Sequence, residues 1–151
     1  MRIGIISDIH GPLPKSVARV LTGCDAILCA GDMEDESTLP ALEAIAPTTA
    51  VRGNVDVDGG LYPELPTLAT VDLGGIRFLV THSYGDALPT PPDVDAIVYG
   101  HTHIRHNIRN SAGTLCINPG SIVRTHDGTN PSCVIAQVEN GTITSVEFVD
   151  V

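Results

Sequence analysis

The stretch that decides the fold is residues 2–30, RIGIISDIHGPLPKSVARVLTGCDAILCA. It begins with a nearly continuous apolar run over 2–7, which is typical of a strand buried on both faces of a sheet. Apolar residues then recur at helical spacing over 15–21, and a second apolar run follows over 25–30. This strand–helix–strand order predicts a βαβ unit with two parallel strands.

The alternation of strand and helix continues for one more unit. Ser37 or Thr38 is predicted to begin a helix that has Pro40 in its first turn. A third strand is predicted over 48–52. Because ligands of parallel sheets bind at the carboxyl ends of the strands, functional residues are expected where these strands end.

The second half of the chain is richer in antiparallel strands. Strands are predicted over 68–73, 76–81, 95–99, 114–118, 133–139 and 142–149. Gly74-Gly75 and Asn140-Gly141 indicate the tight turns of two hairpins. We therefore expect one domain over residues 1–151, in which two sheets pack face to face with helices outside.

Composition and charge limit the classes of function. The chain has 151 residues, of which 42% are hydrophobic, so it is expected to fold around a packed core. No apolar run approaches the ~20 residues of a membrane span, and the first residues lack the features of a signal peptide, so we expect a cytoplasmic protein that does not bind membranes. A net charge of -10 argues against strong nucleic-acid binding. A phosphate-handling site can still work if bound cations supply positive charge.

The cysteines and the charged residues allow two further predictions. Cys24, Cys29, Cys116 and Cys133 form no CxxC pair, and we predict that they are buried small apolar residues without disulfides. Lys15 is the only lysine, and Asp is more frequent than Glu. Such an acidic protein suits a high-salt cytoplasm, although compositional drift explains the pattern as well.

Three predicted parallel strands each end in a residue of a metal-ligand type. Asp8 and His10 follow the first strand, and in an extended segment both would point to the same side. Asp32 follows the second strand, and its two oxygens can bridge two cations. Asn54 follows the third strand and offers an amide oxygen. Each pattern by itself also fits a turn or capping residue.

Histidines follow two later strands. His82 comes after 76–81, and His101 and His103 come directly after 95–99. Ligand types at five strand ends together predict a metal site at one rim of the sheet. Nitrogen and oxygen ligands without thiolate suit Mn, Fe, Zn, Ni or Co. An aspartyl nucleophile, as in haloacid-dehalogenase-type phosphatases, would need a second Asp where His10 stands.

The ligand-type residues form five motifs in a fixed order: D-x-H (Asp8, His10), G-D (Gly31, Asp32), G-N (Gly53, Asn54), a lone His82 and G-H-x-H (Gly100, His101, His103). This order resembles the calcineurin-like metallophosphoesterase superfamily. The later N-P-G-S over 118–121 and the short length resemble its small single-domain phosphodiesterases of bacteria and archaea. The resemblance implies an α/β fold that is a four-layer αββα sandwich of two mixed β-sheets flanked by helices.

The resemblance also implies a dinuclear site with two divalent metal ions, Mn or Fe, Ni, Co or Zn. The implied ligand sets are Asp8, His10 and His103 on one ion, Asn54, His82 and His101 on the other, and Asp32 as the bridge. Catalytic roles fall to Asp32, Asn54 and His82. The implied reaction is hydrolysis of small phosphodiesters by a hydroxide that bridges the ions. A phosphomonoesterase and a non-catalytic interaction scaffold like the retromer subunit are the alternatives.

One departure from the family concerns the leaving group. Many members carry a histidine directly after G-N as general acid, whereas this chain has Val55. Leaving groups that need little protonation, such as those of aryl and nucleoside-type diesters, are therefore expected. The remaining candidates for contact with the small phosphate-ester substrate are Asp56, His106, Arg124 and His126, with solvated loop residues as the alternative. The sequence leaves a homo-oligomer open.

Overall fold

The computed structural model describes residues 1–151 as two five-stranded sheets. In chain order the elements are β1 (Arg2–Ile6), α1 (Lys15–Leu21), β2 (Ala26–Cys29), α2 (Thr38–Glu43), β3 (Thr48–Ala50), α3 (Asn54–Asp58), β4 (Leu68–Leu73), β5 (Ile76–Thr81), a 3₁₀ helix (Tyr84–Ala87), β6 (Ala96–Val98), β7 (Arg105–Arg109), β8 (Leu115–Pro119), β9 (Ser132–Glu139) and β10 (Thr142–Asp150). Every strand predicted from the sequence is present.

Both sheets are mixed, as predicted. The first has the order β10-β9-β1-β2-β3, in which β1, β2 and β3 run parallel and β9 pairs antiparallel with both β1 and β10. The second has the order β4-β5-β6-β8-β7, in which the three central strands are parallel and the edge strands antiparallel. Each sheet thus contains three adjacent parallel strands, and their carboxyl ends face one rim of the molecule.

The main core lies between the sheets. Ile5, Phe78 and Val134 are fully buried there, and each points inward from a strand. A second cluster joins the outer face of the first sheet to α1 and α2 through Val17 and Leu42. Burial of such side chains stabilises the fold by roughly 1.5–3 kcal/mol each.

The outer face of the second sheet carries only a thin covering. Leu79 and Ile97 of this face are buried under the 3₁₀ helix, whose Ala87 joins the same cluster. The predicted αββα sandwich is therefore confirmed, with α-helices on one side and a single short 3₁₀ helix on the other. None of the helices combines the length and apolar character that a membrane crossing requires.

The four cysteines are buried and unpaired, as predicted. Burial raises the pKa of the Cys29 thiol to about 12, which keeps it protonated at neutral pH. These residues therefore act as small apolar side chains.

Candidate metal centre

The seven residues predicted as ligands lie together at the rim where the parallel strands end. His103 Nε2 is 3.1 Å from Asp8 Oδ1, and His82 Nε2 is 3.2 Å from Asp32 Oδ2. His101 Nδ1 is 3.1 Å from Asn54 Oδ1. His10 Nε2 is 3.3 Å from His103 Nε2. Loops from both sheets thus contribute to one cluster.

Asp8 and His10 lie close together for a different reason from the one predicted. β1 ends at Ile6, and both residues have left-handed φ angles, 53° and 50°. They converge because the chain turns, so the argument from side chains alternating along an extended strand is wrong. Left-handed φ angles also occur at Asp32 (54°), His101 (69°) and His103 (56°).

Hydrogen bonds between neighbouring loops hold this strained backbone. The amide of Asp8 donates to Gly31 O at 3.0 Å, and the amide of His10 donates to Asp32 O at 3.0 Å. Ser121 Oγ donates to Asp8 O at 2.9 Å. The loop after β1 is therefore tied to the loop after β2 and to residue 121 of the predicted N-P-G-S motif.

Two glycines permit the close approach of the loops. A Cβ at Gly53 would lie 1.9 Å from Asp32 Oδ1, and one at Gly100 would lie 1.8 Å from Ser7 Oγ and 2.6 Å from Asp8 Oδ2. Real Cβ atoms do not tolerate such contacts. The glycine of each G-N and G-H motif is therefore needed because polar side chains of the neighbouring loop pack directly on its backbone.

The first group of ligand-type atoms comes from Asp8, His10 and His103, whose atoms lie within 4.8 Å of one another. His103 Nδ1 donates to Arg124 O at 2.8 Å, and His10 Nδ1 donates to Glu34 Oε2 at 2.6 Å. In neutral rings these bonds leave the Nε2 atoms as lone-pair acceptors that face each other. A cation between them would satisfy both lone pairs, so the group suits a metal ion.

The second group comes from Asp8, Asp32 and His82, all of which are buried. His82 Nδ1 donates to Ala30 O at 2.7 Å, so in the neutral ring Nε2 carries a lone pair. This Nε2 is buried without a hydrogen-bond partner. It lies 3.2 Å from Asp32 Oδ2, in an electrostatic contact that lacks hydrogen-bond geometry. A buried lone pair beside a carboxylate also suits a cation.

Asn54 and His101 lie at the exposed side of the second group. Asn54 is the first residue of α3 and has no left-handed φ angle, so a positive-φ turn does not explain its presence. The residue shared by the two groups is Asp8. The predicted bridging role of Asp32 stays a prediction.

The buried charges perturb one another. Burial raises the pKa of Asp8, and this effect exceeds the opposing charges of His82 and His103. Burial also acts on Asp32 and His82, but their mutual contact outweighs it, so the pKa of Asp32 is lowered and that of His82 is raised. The contact therefore favours the charged forms of both residues, and a cation that uses the Nε2 lone pair of His82 competes with a proton for it.

Asp56 was a candidate for substrate contact, with a solvated loop residue as the alternative, and its burial shows that it is neither. Its side chain is fully buried, and Oδ1 accepts the amides of Met33 and Glu34, each at 2.9 Å. Oδ2 accepts the amide of Gly53 at 3.0 Å. Asp56 thus joins the loop after β2 to the loop after β3. The three-residue spacing from Gly53, typical of a capping box, is the signal that predicts this contact.

The other candidates for substrate contact have partners within the protein. The ring of His126 stacks on that of His103 at 4.6 Å, and His106 Nδ1 pairs with Tyr99 Oη at 2.7 Å. Arg124 contributes its carbonyl to His103. Glu34, the partner of His10, was not predicted, because no motif in the sequence marks it.

Comparisons with known proteins agree with this geometry. Residues 1–141 match the calcineurin-like phosphoesterase superfamily domain. A probable metallophosphoesterase of Methanocaldococcus jannaschii is 33% identical over 131 residues, which cover 80% of this chain and 68% of the relative. The phosphodiesterase YfcE of Escherichia coli is 33% identical over 159 residues, which cover 87% of this chain and 84% of the relative. Wild-type Vps29 of Entamoeba histolytica, complexed with Zn²⁺, has a similar fold, with a TM-score of 0.77 at 20% identity and coverage of 99% and 97%.

Proposed function

Because the chain belongs to the calcineurin-like phosphoesterase superfamily, we propose that it is a metal-dependent phosphodiesterase that hydrolyses small phosphodiesters. The observation that carries this proposal is the pair of ligand groups that share Asp8. Their histidine Nε2 atoms face other ligand atoms, while their Nδ1 atoms are fixed by hydrogen bonds. The name of the relative YfcE supports the choice of a diester as substrate.

Two divalent ions would be held by the seven residues. Asp8, His10 and His103 would hold one, Asn54, His82 and His101 would hold the other, and Asp32 would lie between them. Divalent cations supply a water nucleophile at neutral pH and neutralise the charge of the phosphate oxygens. Mn, Fe, Ni, Co and Zn all suit these nitrogen and oxygen donors.

Residues of the chain also orient the substrate. Asn54 Oδ1 is directed to His101, so the exposed amide nitrogen is free to donate to a phosphate oxygen. Val55 follows Asn54, and its backbone amide donates to Asp32 Oδ1 at 3.0 Å. Its side chain offers no proton to a leaving group. We therefore propose a preference for diesters with an acidic leaving group, such as an aryl or nucleoside alcohol.

The partner we propose is a small phosphate ester. A nucleic-acid polymer is disfavoured because the net charge of -10 repels a polyphosphate backbone. The second candidate function is a non-catalytic interaction scaffold, and the likeness to Vps29 in fold favours it. The filled set of ligand positions favours catalysis.

The test combines metal analysis with an assay of two esters. Purified protein is loaded with Mn, Ni, Co or Zn and given bis(p-nitrophenyl) phosphate or p-nitrophenyl phosphate. We expect faster cleavage of the diester, and a loss of about 100-fold or more in Asp32→Asn. Asp93→Asn, which alters an exposed carboxylate paired with Arg77 near the start of β5, is the matched control.

Two outcomes would contradict the proposal. Stoichiometric metal binding without hydrolysis of either ester would favour the scaffold. A monoester cleaved much faster than the diester would show that the proposed diester preference is wrong.

A further inference from the structure

A pocket of about 290 Å³ adjoins the second ligand group. One wall consists of Asn54, His82 and His101, and Arg52 lines the pocket beyond them. Val57 is the single hydrophobic residue of the lining. A ligand in this pocket would therefore contact the metal centre on one side and polar side chains on the other.

The position of Arg52 is fixed by the backbone on both sides of it. Its amide donates to Pro66 O at 2.9 Å. The preceding Val51 is buried and donates to Cys29 O at 3.1 Å, and the following Gly53 is held by Asp56. The start of the Arg52 side chain therefore cannot move far from the pocket.

The guanidinium of Arg52 lacks a partner within the protein. Its Nε is buried and makes no hydrogen bond. Arg77 and Arg105, by contrast, pair with aspartates. A buried N–H without an acceptor costs free energy, and a charged donor costs more. No carboxylate of the protein pairs with this guanidinium, so it can pair with an anionic ligand that enters the pocket.

We propose that Arg52 is a specificity-determining residue that donates to an anionic phosphoryl oxygen of the substrate. This inference rests on the proposed function, because the metal centre must hold the same phosphate. A guanidinium is suited to the role, since its fork of N–H donors matches the oxygens of a phosphate. Arg52 would then govern substrate affinity without being a metal ligand.

Acidic neighbours determine how the anion must arrive. Asp58 and Asp86 line the same pocket, so the lining carries two carboxylates and one guanidinium. In a protein of net charge -10, such a pocket does not attract a free anion by itself. Arg52 is therefore expected to bind phosphate only when cations at the neighbouring centre hold the same group.

The test measures binding of inorganic phosphate by calorimetry to metal-loaded and metal-free protein. In the metal-loaded form we expect Arg52→Ala to bind phosphate at least about tenfold more weakly than the parent protein, and Arg52→Lys to recover part of this loss. The metal affinity itself should stay within about twofold of the parent protein, because Arg52 is not a ligand. Arg19→Ala, at an exposed position of α1, is the matched control.

Kinetics on bis(p-nitrophenyl) phosphate separate this inference from the proposed function. We expect a raised KM for Arg52→Ala with a smaller change in kcat. If the metal-loaded parent binds phosphate but hydrolyses no ester, and Arg52→Ala weakens that binding, the recognition role holds while the proposed catalysis fails. Phosphate affinity and KM both unchanged in Arg52→Ala, with normal metal binding, would overturn the inference.

Discussion

Replacement of Asp56 by alanine is expected to destabilise the protein strongly, although the residue lies in a helix of five residues. Its carboxylate accepts three backbone amides, those of Met33, Glu34 and Gly53. The amides of Met33 and Gly53 are in buried surroundings, whereas that of Glu34 is partly buried. A buried N–H left without an acceptor costs about 1–3 kcal/mol. Because two of the amides are buried and the third is partly buried, loss of their shared acceptor should lower the free energy of unfolding by about 3–5 kcal/mol.

Urea denaturation of metal-free protein, followed by far-ultraviolet circular dichroism, measures this decrease. Asp58→Ala is the control, because Asp58 lies two residues further along the same helix, is exposed, and should change the stability by less than about 0.5 kcal/mol. Asp56→Asn keeps one acceptor oxygen and should fall between the two. If Asp56→Ala unfolds at the same urea concentration as Asp58→Ala, with an unchanged m-value, the hydrogen bonds from the three amides to Asp56 do not stabilise the fold as predicted.

Three further predictions concern the metal centre and the core. Glu34→Gln removes the charged acceptor 2.6 Å from His10 Nδ1, so Mn²⁺ affinity measured by calorimetry should fall by about 10–100-fold, while Glu36→Gln on the same loop should leave it unchanged. Burial alone would lower the pKa of His82, but the contact with Asp32 has the larger effect and raises it. Because the ion must displace a proton from a protonated His82, metal affinity should fall as the pH is lowered through this raised pKa. In metal-free protein the Asp32–His82 pair should contribute fully between the ordinary pKa of aspartate, 3.8, and that of histidine, 6.5. This contribution should be lost as the pH falls through the lowered pKa of Asp32 or rises through the raised pKa of His82, and an Asp32→Asn variant with the same pH dependence of the denaturation midpoint as the parent protein would contradict the pairing. Phe78→Ala, at a fully buried position between the sheets, should lower the free energy of unfolding by about 3–5 kcal/mol, and a change below 1 kcal/mol would show that the core there is not tightly packed.

Hydrophobic pattern was sufficient to predict most of the fold. The hairpin strands β4 and β5 have the predicted bounds, because two glycines separate two short runs rich in β-branched and apolar residues. Helix α1 also has its predicted bounds. Three elements were missed for a physical reason. β7 is an exposed edge strand of mostly polar residues, α3 has only five residues and the 3₁₀ helix only four, so none of them shows a clear apolar periodicity.

The residues of the candidate site could be predicted from the sequence, but their geometry could not. Residue type and place after a strand suffice to name Asp8 or His101, because parallel strands of one sheet end at the same rim. The turn that directs each side chain depends on contacts from other loops, as in the bond from Asp8 to Gly31. The burial of Asp56 likewise depends on two amides that lie 22 and 23 residues away.

The backbone of the metal centre bears on the choice between ligands and ordinary turn residues. His10, His101 and His103 all have φ angles between 50° and 69°, where a residue with a Cβ is disfavoured by roughly 1–2 kcal/mol. Glycine avoids this cost, so a position selected only for its turn would favour glycine. Asp, Asn and His tolerate the left-handed region better than the other residues with a Cβ, and the five positions carry two aspartates and three histidines. A turn alone does not require a carboxylate or an imidazole at all five positions, so the side chains there agree with the proposed metal site, and hydrogen bonds between the loops offset the strain.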